Sequence, residues 1–187
     1  MASTHLSRSM TSTSSTWTLS VWLKRHGITS TQYIMSYGGS GTEVGIGFSN
    51  GDNFQFYSAA SGSNPVSSAK FRDLNGWYHA VVKNDAGTIT LYMNGEALTN
   101  TGGNAGAALN SSTLRIGDWQ TGAYDFNGSM SHLHFIDGTA YSASTFGQTD
   151  STTGEWTIKT APSVTYGSDG FFILKDGNSV TDQSGQS

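Results

Sequence analysis

Short apolar runs alternate with polar turn segments along almost the whole chain. In residues 17–24 every second side chain is apolar, which places these side chains on one face of a strand. No segment keeps a period of 3.6 residues, and only residues 142–146 predict a short helical turn, with Ser142 as its N-cap. Similar runs predict further strands over 32–37, 44–48, 54–57, 77–83, 88–93, 96–98, 113–116, 129–136 and 170–175. Many short strands separated by turn signals predict an all-β sandwich.

The turn segments predict how consecutive strands are joined. Residues 49–53 contain Asn50-Gly51 between two apolar runs, which predicts a hairpin with a type I′ turn, because both central residues need φ > 0. A second hairpin is predicted around 84–87, and Asn94-Gly95 predicts another tight turn. Asn127-Gly128 is assigned to φ > 0 positions by the same rule. Residues 10–16 and 100–110 are predicted to be loops, and Trp77 with the apolar residues of 81–93 is predicted to fill the space between two sheets.

Composition supports this fold class and bounds the number of domains. Charged residues make up only 12% of the 187 residues, where about 25% is usual. The low content of Glu and Lys argues against helical bundles, whose exposed faces normally carry them. A length of 187 residues suits one domain with a substantial core. We therefore expect a single domain over residues 1–187.

Charge and cysteine content exclude several classes of function. The net charge is −4, and the nine Lys and Arg residues are scattered, which argues against nucleic-acid binding through phosphates. No apolar run approaches the length of about 18 residues that a membrane span needs. Residues 1–16 lack the apolar core of a secretory signal. The absence of cysteine excludes disulfides and thiolate metal sites.

Three motif segments, taken in order, resemble the concanavalin A-like/laminin G-like superfamily. They are Trp17-Thr-Leu-Ser-Val-Trp-Leu-Lys24, then Trp77-Tyr-His-Ala-Val-Val82 with Leu91-Tyr-Met-Asn-Gly95, and finally Leu114-Arg-Ile-Gly117 with Phe126-Asn-Gly-Ser-Met-Ser-His-Leu133. The resemblance covers roughly residues 17–137. It implies a two-sheet antiparallel jelly roll, with an N-terminal extension over 1–16 and a closing segment over 138–187.

Further segments resemble laminin G-like domains of marine tailed-phage structural proteins. They are His5-Leu-Ser-Arg8, Lys70-Phe-Arg-Asp73, His134-Phe-Ile-Asp-Gly138, Phe146-Gly-Gln-Thr-Asp150, Thr153-Gly-Glu-Trp156 and Tyr166-Gly-Ser-Asp-Gly-Phe171. The resemblance implies a virion decoration, fibre or tail component whose partners are other virion proteins and further copies of itself. Such a protein is made in the host cytoplasm and displayed on the virion surface, whereas a non-viral relative would be extracellular.

The acidic residues do not predict an enzyme. Glycoside hydrolysis needs two carboxylates facing one cleft. Glu43, Glu96 and Glu155 are isolated in the sequence, and each stands next to a turn. His132 and His134 share a strand face, while Leu133 and Phe135 are expected to pack inward, and no third metal ligand is evident beside the histidines. The predicted function is therefore non-catalytic.

Aromatic residues in loops are candidates for binding sugars. An amphipathic ring with a polar edge suits the rim of a glycan site. Trp119, Tyr124 and Tyr141 fall in loops, and Trp22 shares its strand face with small polar residues. These four residues are the predicted glycan-binding positions, for example for host-surface polysaccharide. The alternative for Trp119 is that its ring folds back to cover the edge of the core.

One loop is a candidate calcium site. Asp118, Asp125 and Asn127 stand close together in the sequence, and oxygen ligands of this kind suit a hard cation. Asp and Asn also favour turns through hydrogen bonds to their own backbone, so turn formation is the competing interpretation. Two functions stay open, a virion structural protein and a glycan-binding module with or without calcium.

Overall fold

The computed structural model describes residues 5–62, 64–177 and 179–186, so the first four residues of the N-terminal extension lie outside it. The one helical element of these ranges is a 3-10 turn, Ala143–Thr145, and no helix in them has the length and apolar character needed to cross a membrane. The strands are β1 (Leu6–Ser9), β2 (Trp17–Arg25), β3 (Gln32–Tyr37), β4 (Val44–Phe48), β5 (Asn53–Ser58), β6 (Val66–Lys70), β7 (Tyr78–Asp85), β8 (Thr88–Met93), β9 (Glu96–Ala97), β10 (Asn100–Thr101), β11 (Thr113–Ile116), β12 (Gly128–Asp137), β13 (Gly147–Thr149), β14 (Trp156–Ile158) and β15 (Phe171–Ile173).

Two antiparallel sheets form the body of the molecule. The seven-stranded sheet has the order β1-β11-β3-β4-β5-β6-β10, and the six-stranded sheet has the order β15-β12-β2-β7-β8-β9. Strands β13 and β14 pair separately with each other. Several neighbours in space are far apart in sequence, as in a jelly roll. The predicted all-β, two-sheet sandwich is confirmed.

The main core lies between the two sheets. Alternate residues of β2 point inward, and Trp17 contacts Phe56 and Phe135 at ring-centroid distances of 6.1 and 6.3 Å. From β7 the inward positions are taken by Tyr78, Ala80 and Val82, among others. Because side chains alternate along a strand, Trp77 points the other way and is 46% exposed. The prediction that Trp77 belongs to the core is therefore wrong.

A second apolar cluster covers the outer face of the six-stranded sheet. Val81, Ile136 and Phe172 point outward from the sheet and pack against Phe146 and Tyr166 of the closing segment. The six-stranded sheet is consequently buried on both faces, and even the outward hydroxyl residues of β2 are fully buried. Part of the closing segment thus packs against the six-stranded sheet of the same chain.

The predicted hairpins form, but not all by the expected turn. Ala86 and Gly87 have φ of 48° and 88°, and Asn94 and Gly95 have φ of 50° and 88°, as type I′ turns require. Between β4 and β5, by contrast, Asp52 is the residue with positive φ, at 67°. A turn closed by the Asp52 N–H on the Ser49 carbonyl precedes it, so the predicted type I′ turn at residues 50 and 51 is wrong.

Asp52 takes this conformation at the centre of an ion-pair network that is buried except for Arg72. Its carboxylate accepts hydrogen bonds from Arg25 at 3.1 Å and Arg72 at 2.9 Å, and from the Thr29 N–H at 2.8 Å. Arg25 and Asp52 are both fully buried, and the Arg25 guanidinium lies 4.2 Å from the centre of the Phe48 ring. The hairpin loop is therefore held to β2 by charge.

Two smaller predictions about the backbone are wrong, and a third holds in part. Asn127 and Gly128 do not adopt positive φ; Gly128 is needed because a Cβ there would lie 2.3 Å from the Lys24 carbonyl oxygen. The segment 100–110 contains the short strand β10, which pairs with β6. The predicted helical turn forms with Ser142 at its N-cap position, but the Ser142 side chain makes no capping bond, and its hydroxyl contacts the Ser144 hydroxyl at 2.9 Å.

Candidate functional site

A groove with three tryptophans in its walls opens on the outer face of the six-stranded sheet. We call it the tryptophan groove; its volume is about 380 Å³. One wall is the sheet itself, and the other is strand β14 of the closing segment. The lining residues are Trp22, Trp77, Ser131, His132, Trp156, Thr157 and Ile158.

Stacked rings hold two of the three tryptophans of this groove. His79 lies between two of them, 4.9 Å from the Trp22 ring and 6.0 Å from the Trp156 ring, nearly parallel to both. The Trp156 indole N–H donates to His79 Nδ1 at 2.9 Å, so Nε2 carries the ring proton and donates to the Ser20 hydroxyl at 2.9 Å. Burial lowers the pKa of His79 to about 3, so the ring is neutral at physiological pH. The stack of rings that supports the groove is therefore uncharged.

A β-bulge brings His132 into the groove. Strand β12 changes register against β2 between Ser131 and His134, and His132 has φ of 46°. Its Nδ1 lies 2.7 Å from the Ser131 hydroxyl. Leu133 and Phe135 point into the core, as predicted. His134 lies under the closing segment, where its ring stacks on Phe172 at 3.9 Å.

A second aromatic surface lies on the outer face of the seven-stranded sheet. We call it the tyrosine platform; its members are Tyr33, Tyr57, Trp119 and Tyr124. The half-buried Trp119 ring lies 4.6 Å from the Tyr33 ring. A Cβ at Gly45 would lie 2.4 Å from Tyr33 and 2.6 Å from Trp119, so the glycine allows both rings to lie close to the sheet. Two of the predicted glycan-binding residues, Trp119 and Tyr124, are brought together here.

Backbone bonds hold the loop that carries the platform. Tyr124 is 56% exposed and has φ of 57°, a strained conformation for a bulky side chain. Its carbonyl accepts from the Tyr33 N–H at 2.9 Å, and the Trp119 N–H donates to Ala123. The pKa of Tyr33 is raised to about 12, mainly because the hydroxyl is buried and to a smaller extent because Tyr57 and Tyr124 lie nearby. The Tyr33 hydroxyl is therefore neutral.

The other two predicted glycan-binding residues lie elsewhere. Trp22 lines the tryptophan groove. Tyr141 is half-buried beside Phe146 at 6.2 Å, and its hydroxyl accepts from the Thr165 N–H. The structure thus brings Tyr141 to neither aromatic surface, because the closing segment uses the ring for packing.

The predicted calcium ligands have different surroundings. Asp118 is fully buried, and its Oδ2 lies 3.2 Å from both Arg115 and His5. Asp125 pairs through its backbone with Tyr33, and the Asn127 side chain lies against Gly27. In the described ranges no group of three or more His, Asp or Glu side chains is placed to hold a metal ion. Calcium binding at these residues stays a prediction.

The glutamates lie at the turns that the sequence indicated. Glu43 precedes β4 and accepts a hydrogen bond from the Gly41 N–H, Glu96 lies in the two-residue strand β9, and Glu155 is exposed before β14.

An apolar groove also lies at the open side of the sandwich, between β1 and β15. We call it the edge groove; its volume is about 400 Å³. An ion pair between Arg8 and Asp182 at 3.2 Å crosses it. Its apolar lining comes from Leu6, Leu114, Ile116, Phe171, Ile173 and Val180.

Sequence reasoning missed Trp77, Trp156 and His132 as site residues. The alternation of β7 contained the signal for Trp77, because Ala80 and Val82 are the apolar pair that points inward. Trp156 stands among polar residues, so only the tertiary fold shows that it reaches the sheet. His132 depends on a bulge, which a regular two-residue period cannot predict.

Comparisons with known folds agree with this architecture. A heptameric serum amyloid P-like pentraxin from Limulus polyphemus is 20% identical, with a TM-score of 0.51 over 74% of this chain and 71% of that chain. A protein from Bacteroides ovatus described as carbohydrate-binding gives 19% identity and a TM-score of 0.56, over 74% of this chain and 42% of that one. Domain 4 of a Geobacillus stearothermophilus extracellular arabinanase was solved with arabinotriose. It gives 17% identity and a TM-score of 0.53, over 71% of this chain and 64% of that one.

These identities are low, so the similarity concerns the fold alone. This chain spans less than two thirds of the Bacteroides protein and of the arabinanase domain. A comparison with curated protein sequences gave no significant match. A laminin G-type family model matches residues 2–145, well over half of the 187 residues. With the two-sheet architecture described above, this match shows that the chain belongs to the concanavalin A-like lectin/glucanases superfamily.

Proposed function

We propose that this protein is a non-catalytic carbohydrate-binding module that takes its ligand in the tryptophan groove. The observation that carries the proposal is the exposed Trp77 ring beside Trp22 and Trp156 in an open groove. Pyranose rings present a face of C–H groups that stacks on an indole, and their hydroxyls bond to polar atoms at the rim. A large exposed apolar side chain normally marks a binding surface when others adjoin it.

Two similar structures support this class of function. The Bacteroides protein is described as carbohydrate-binding, and the arabinanase domain was solved with an arabinose trisaccharide. The tryptophan groove also differs from the tyrosine platform in having two walls. A ligand there loses more water-exposed surface than a ligand on a flat surface.

Glycan binding can be tested with single substitutions on the two faces. A glycan array identifies ligands, and calorimetry with the best ligand measures affinity. Trp77→Ala should weaken binding at least about tenfold, the effect of losing roughly 1.4 kcal/mol of stacking. Tyr124→Ala removes a ring of similar exposure from the opposite face and should leave affinity unchanged.

The opposite pattern of affinities would assign the glycan site to the other face. If Tyr124→Ala or Trp119→Ala abolished binding while Trp77→Ala did not, the tyrosine platform would be the glycan site. Absence of binding to any glycan on the array would contradict the proposal as a whole. A separate calorimetric titration with calcium tests the calcium prediction for Asp118, Asp125 and Asn127, because Asp125→Ala should weaken calcium binding if these residues hold the ion.

A second candidate function is a structural component of a tailed-phage particle, displayed on the virion surface and acting through protein contacts. The edge groove favours it: Val180 is 59% exposed beside Leu6 and Phe171, which leaves apolar surface for another chain. The motif resemblance to phage structural proteins points the same way.

Assembly can be tested by the state of association. Sedimentation of the purified protein should show oligomers, and Val180→Asp should dissociate them, because a carboxylate in an apolar contact is costly. Val180→Ala is the matched control and should retain most of the association. A strictly monomeric protein that also fails to bind purified particles would contradict the structural role.

A further inference from the structure

His132 lies in the wall of the groove at a β-bulge and has an unusual backbone conformation. In β12, residues 132 and 133 together stand opposite Val21, because Ser131 pairs with Trp22 and His134 with Ser20. The bulged histidine has φ of 46°, which is unfavourable for a side chain with a Cβ. Its N–H donates to the Leu174 carbonyl at 3.0 Å. The bulge thus holds the imidazole on the groove side of the strand, and the backbone of His132 is strained there.

The hydrogen bonds of Ser131 favour one tautomer of this imidazole. The Ser131 hydroxyl lies 3.3 Å from the Leu174 carbonyl oxygen and 2.7 Å from His132 Nδ1. A carbonyl can only accept, so the single hydroxyl proton is used there when both bonds form. His132 Nδ1 must then carry the ring proton and donate to the Ser131 oxygen. Nε2 of the neutral ring is left as a hydrogen-bond acceptor.

Nε2 is an acceptor of the groove that remains available to a ligand, because no protein donor among the described residues bonds to it. The Thr157 hydroxyl donates its proton to the Gln148 carbonyl at 3.1 Å, so it too can offer a ligand only an acceptor. The tryptophans supply apolar faces and donors only. An acceptor in this position favours a ligand with a hydroxyl and disfavours one with a carboxylate.

The groove also lacks charge that would attract an acidic ligand. None of the residues that line it is a Lys, Arg, Asp or Glu. Lys175 and Asp176 act on His132 with opposite signs, and burial together with Lys175 lowers the pKa of its imidazole. The imidazole is therefore neutral near pH 7.

We infer that the tryptophan groove selects neutral pyranosides, in which a sugar ring stacks on Trp77 and a hydroxyl donates to Nε2 of His132. This inference rests on the proposed function and adds the class of ligand and the residue that selects it. Sugars with a carboxylate at the contacting position, such as uronic acids, are disfavoured because an acceptor then faces an acceptor.

The test combines paired ligands with paired variants. Calorimetry compares neutral oligosaccharides from the glycan array with oligosaccharides of the corresponding uronic acids. The neutral member of each pair should bind at least tenfold more tightly. His132→Phe keeps an aromatic ring beside Phe172 but removes the acceptor, and should weaken binding of the neutral ligand about tenfold. His26→Phe is the control, since this exposed histidine also contacts a serine hydroxyl, at 3.3 Å, but lies outside the groove lining.

A further variant separates binding from folding. His132→Gly relieves the positive φ, so its melting temperature should equal or exceed that of the wild type while its affinity falls as in His132→Phe. Equal binding of neutral and acidic ligands, or unchanged affinity in both His132 variants, would overturn the inference while Trp77-dependent binding upheld the proposed function. Absence of all glycan binding would overturn both.

Discussion

The two outer faces of the sandwich are built in opposite ways. The six-stranded sheet is covered by the closing segment, and the gap left in this cover is the tryptophan groove. The seven-stranded sheet carries only the short loop of the tyrosine platform, whose aromatic rings lie directly above Gly45. A covered face can hold a ligand between two walls, whereas a bare face offers one wall. The same sandwich therefore carries two aromatic surfaces, of which the tryptophan groove has two walls and the tyrosine platform has one.

The largest expected difference between the faces is their response to acid. Burial is the main cause that lowers the pKa of both His79 and His134 to about 3, and both lie on the covered face. The unfolded chain, with histidine near 6.5, binds more protons between these values, so stability is greatest above pH 6.5 and falls as the pH falls toward 3. Each histidine should remove on the order of 4 kcal/mol by pH 3.

Urea titrations followed by tryptophan fluorescence at pH 7, 5 and 4 measure this loss. His134→Phe should make stability fall less steeply with acid, because one proton-binding group is gone. Trp119→Ala, outside the cover, replaces no titratable group and should leave the slope unchanged. A stability that did not depend on pH between 7 and 4 would contradict burial of both imidazoles.

Truncation of a side chain in the cover should also destabilise the protein more than truncation of a side chain in the platform. Phe146 is buried against the six-stranded sheet, so Phe146→Ala should lower the free energy of unfolding by about 3–5 kcal/mol. Trp119→Ala removes a larger ring, but a half-exposed one, and should cost only about 1–2 kcal/mol. Urea unfolding of the two variants makes the comparison, and equal losses would mean that the platform is as integral to the fold as the cover.

A smaller effect tests how closely the platform lies on its sheet. Gly45→Ala places a methyl group against the Tyr33 and Trp119 rings and should cost about 1–3 kcal/mol through strain. Gly39→Ala is the matched control, because nothing lies within 4 Å of its Cβ position and its φ is not positive. Near-ultraviolet circular dichroism should change in the first variant alone.

The smallest expected effect is a gain in stability. Tyr124→Gly removes the strain of positive φ on the bare face and should stabilise the protein by about 0.5 kcal/mol. A thermal melt measures the shift. A clear loss of stability would instead show that the Tyr124 ring contributes more through its contact with Tyr33 than its backbone strain costs.

Much of the fold follows from the two-residue period of the sequence. Strands β3, β4, β8 and β11 begin and end where the apolar pattern predicts, because alternation and turn residues agree there. Strands β1 and β6 were missed, since Leu6–Ser9 and Val66–Lys70 are mostly polar and become strands only by pairing with β11 and β5. Pairing of this kind depends on partners far away in the sequence.

The site was less predictable than the fold. Trp119 and Tyr124 were chosen because they stand in a loop, and the structure does bring them together. The tryptophan groove needs Trp22 from β2, His132 from a bulge and Trp156 from the closing segment. Only Trp22 was among the predicted residues, because a site assembled from three separate segments has no local sequence pattern.

The position of β2 in the six-stranded sheet has a consequence for synthesis of the chain. β2 lies between β7 and β12, with Trp17 paired to Asn84 on one side and Asp137 on the other. A nascent chain must therefore carry this tryptophan-rich strand incompletely paired until more than a hundred further residues have left the ribosome. Folding through such distant contacts is slow, on the order of milliseconds to seconds. Until β12 has been synthesised and has paired with β2, the unpaired edge of β2 can pair with strands of other chains, which promotes aggregation.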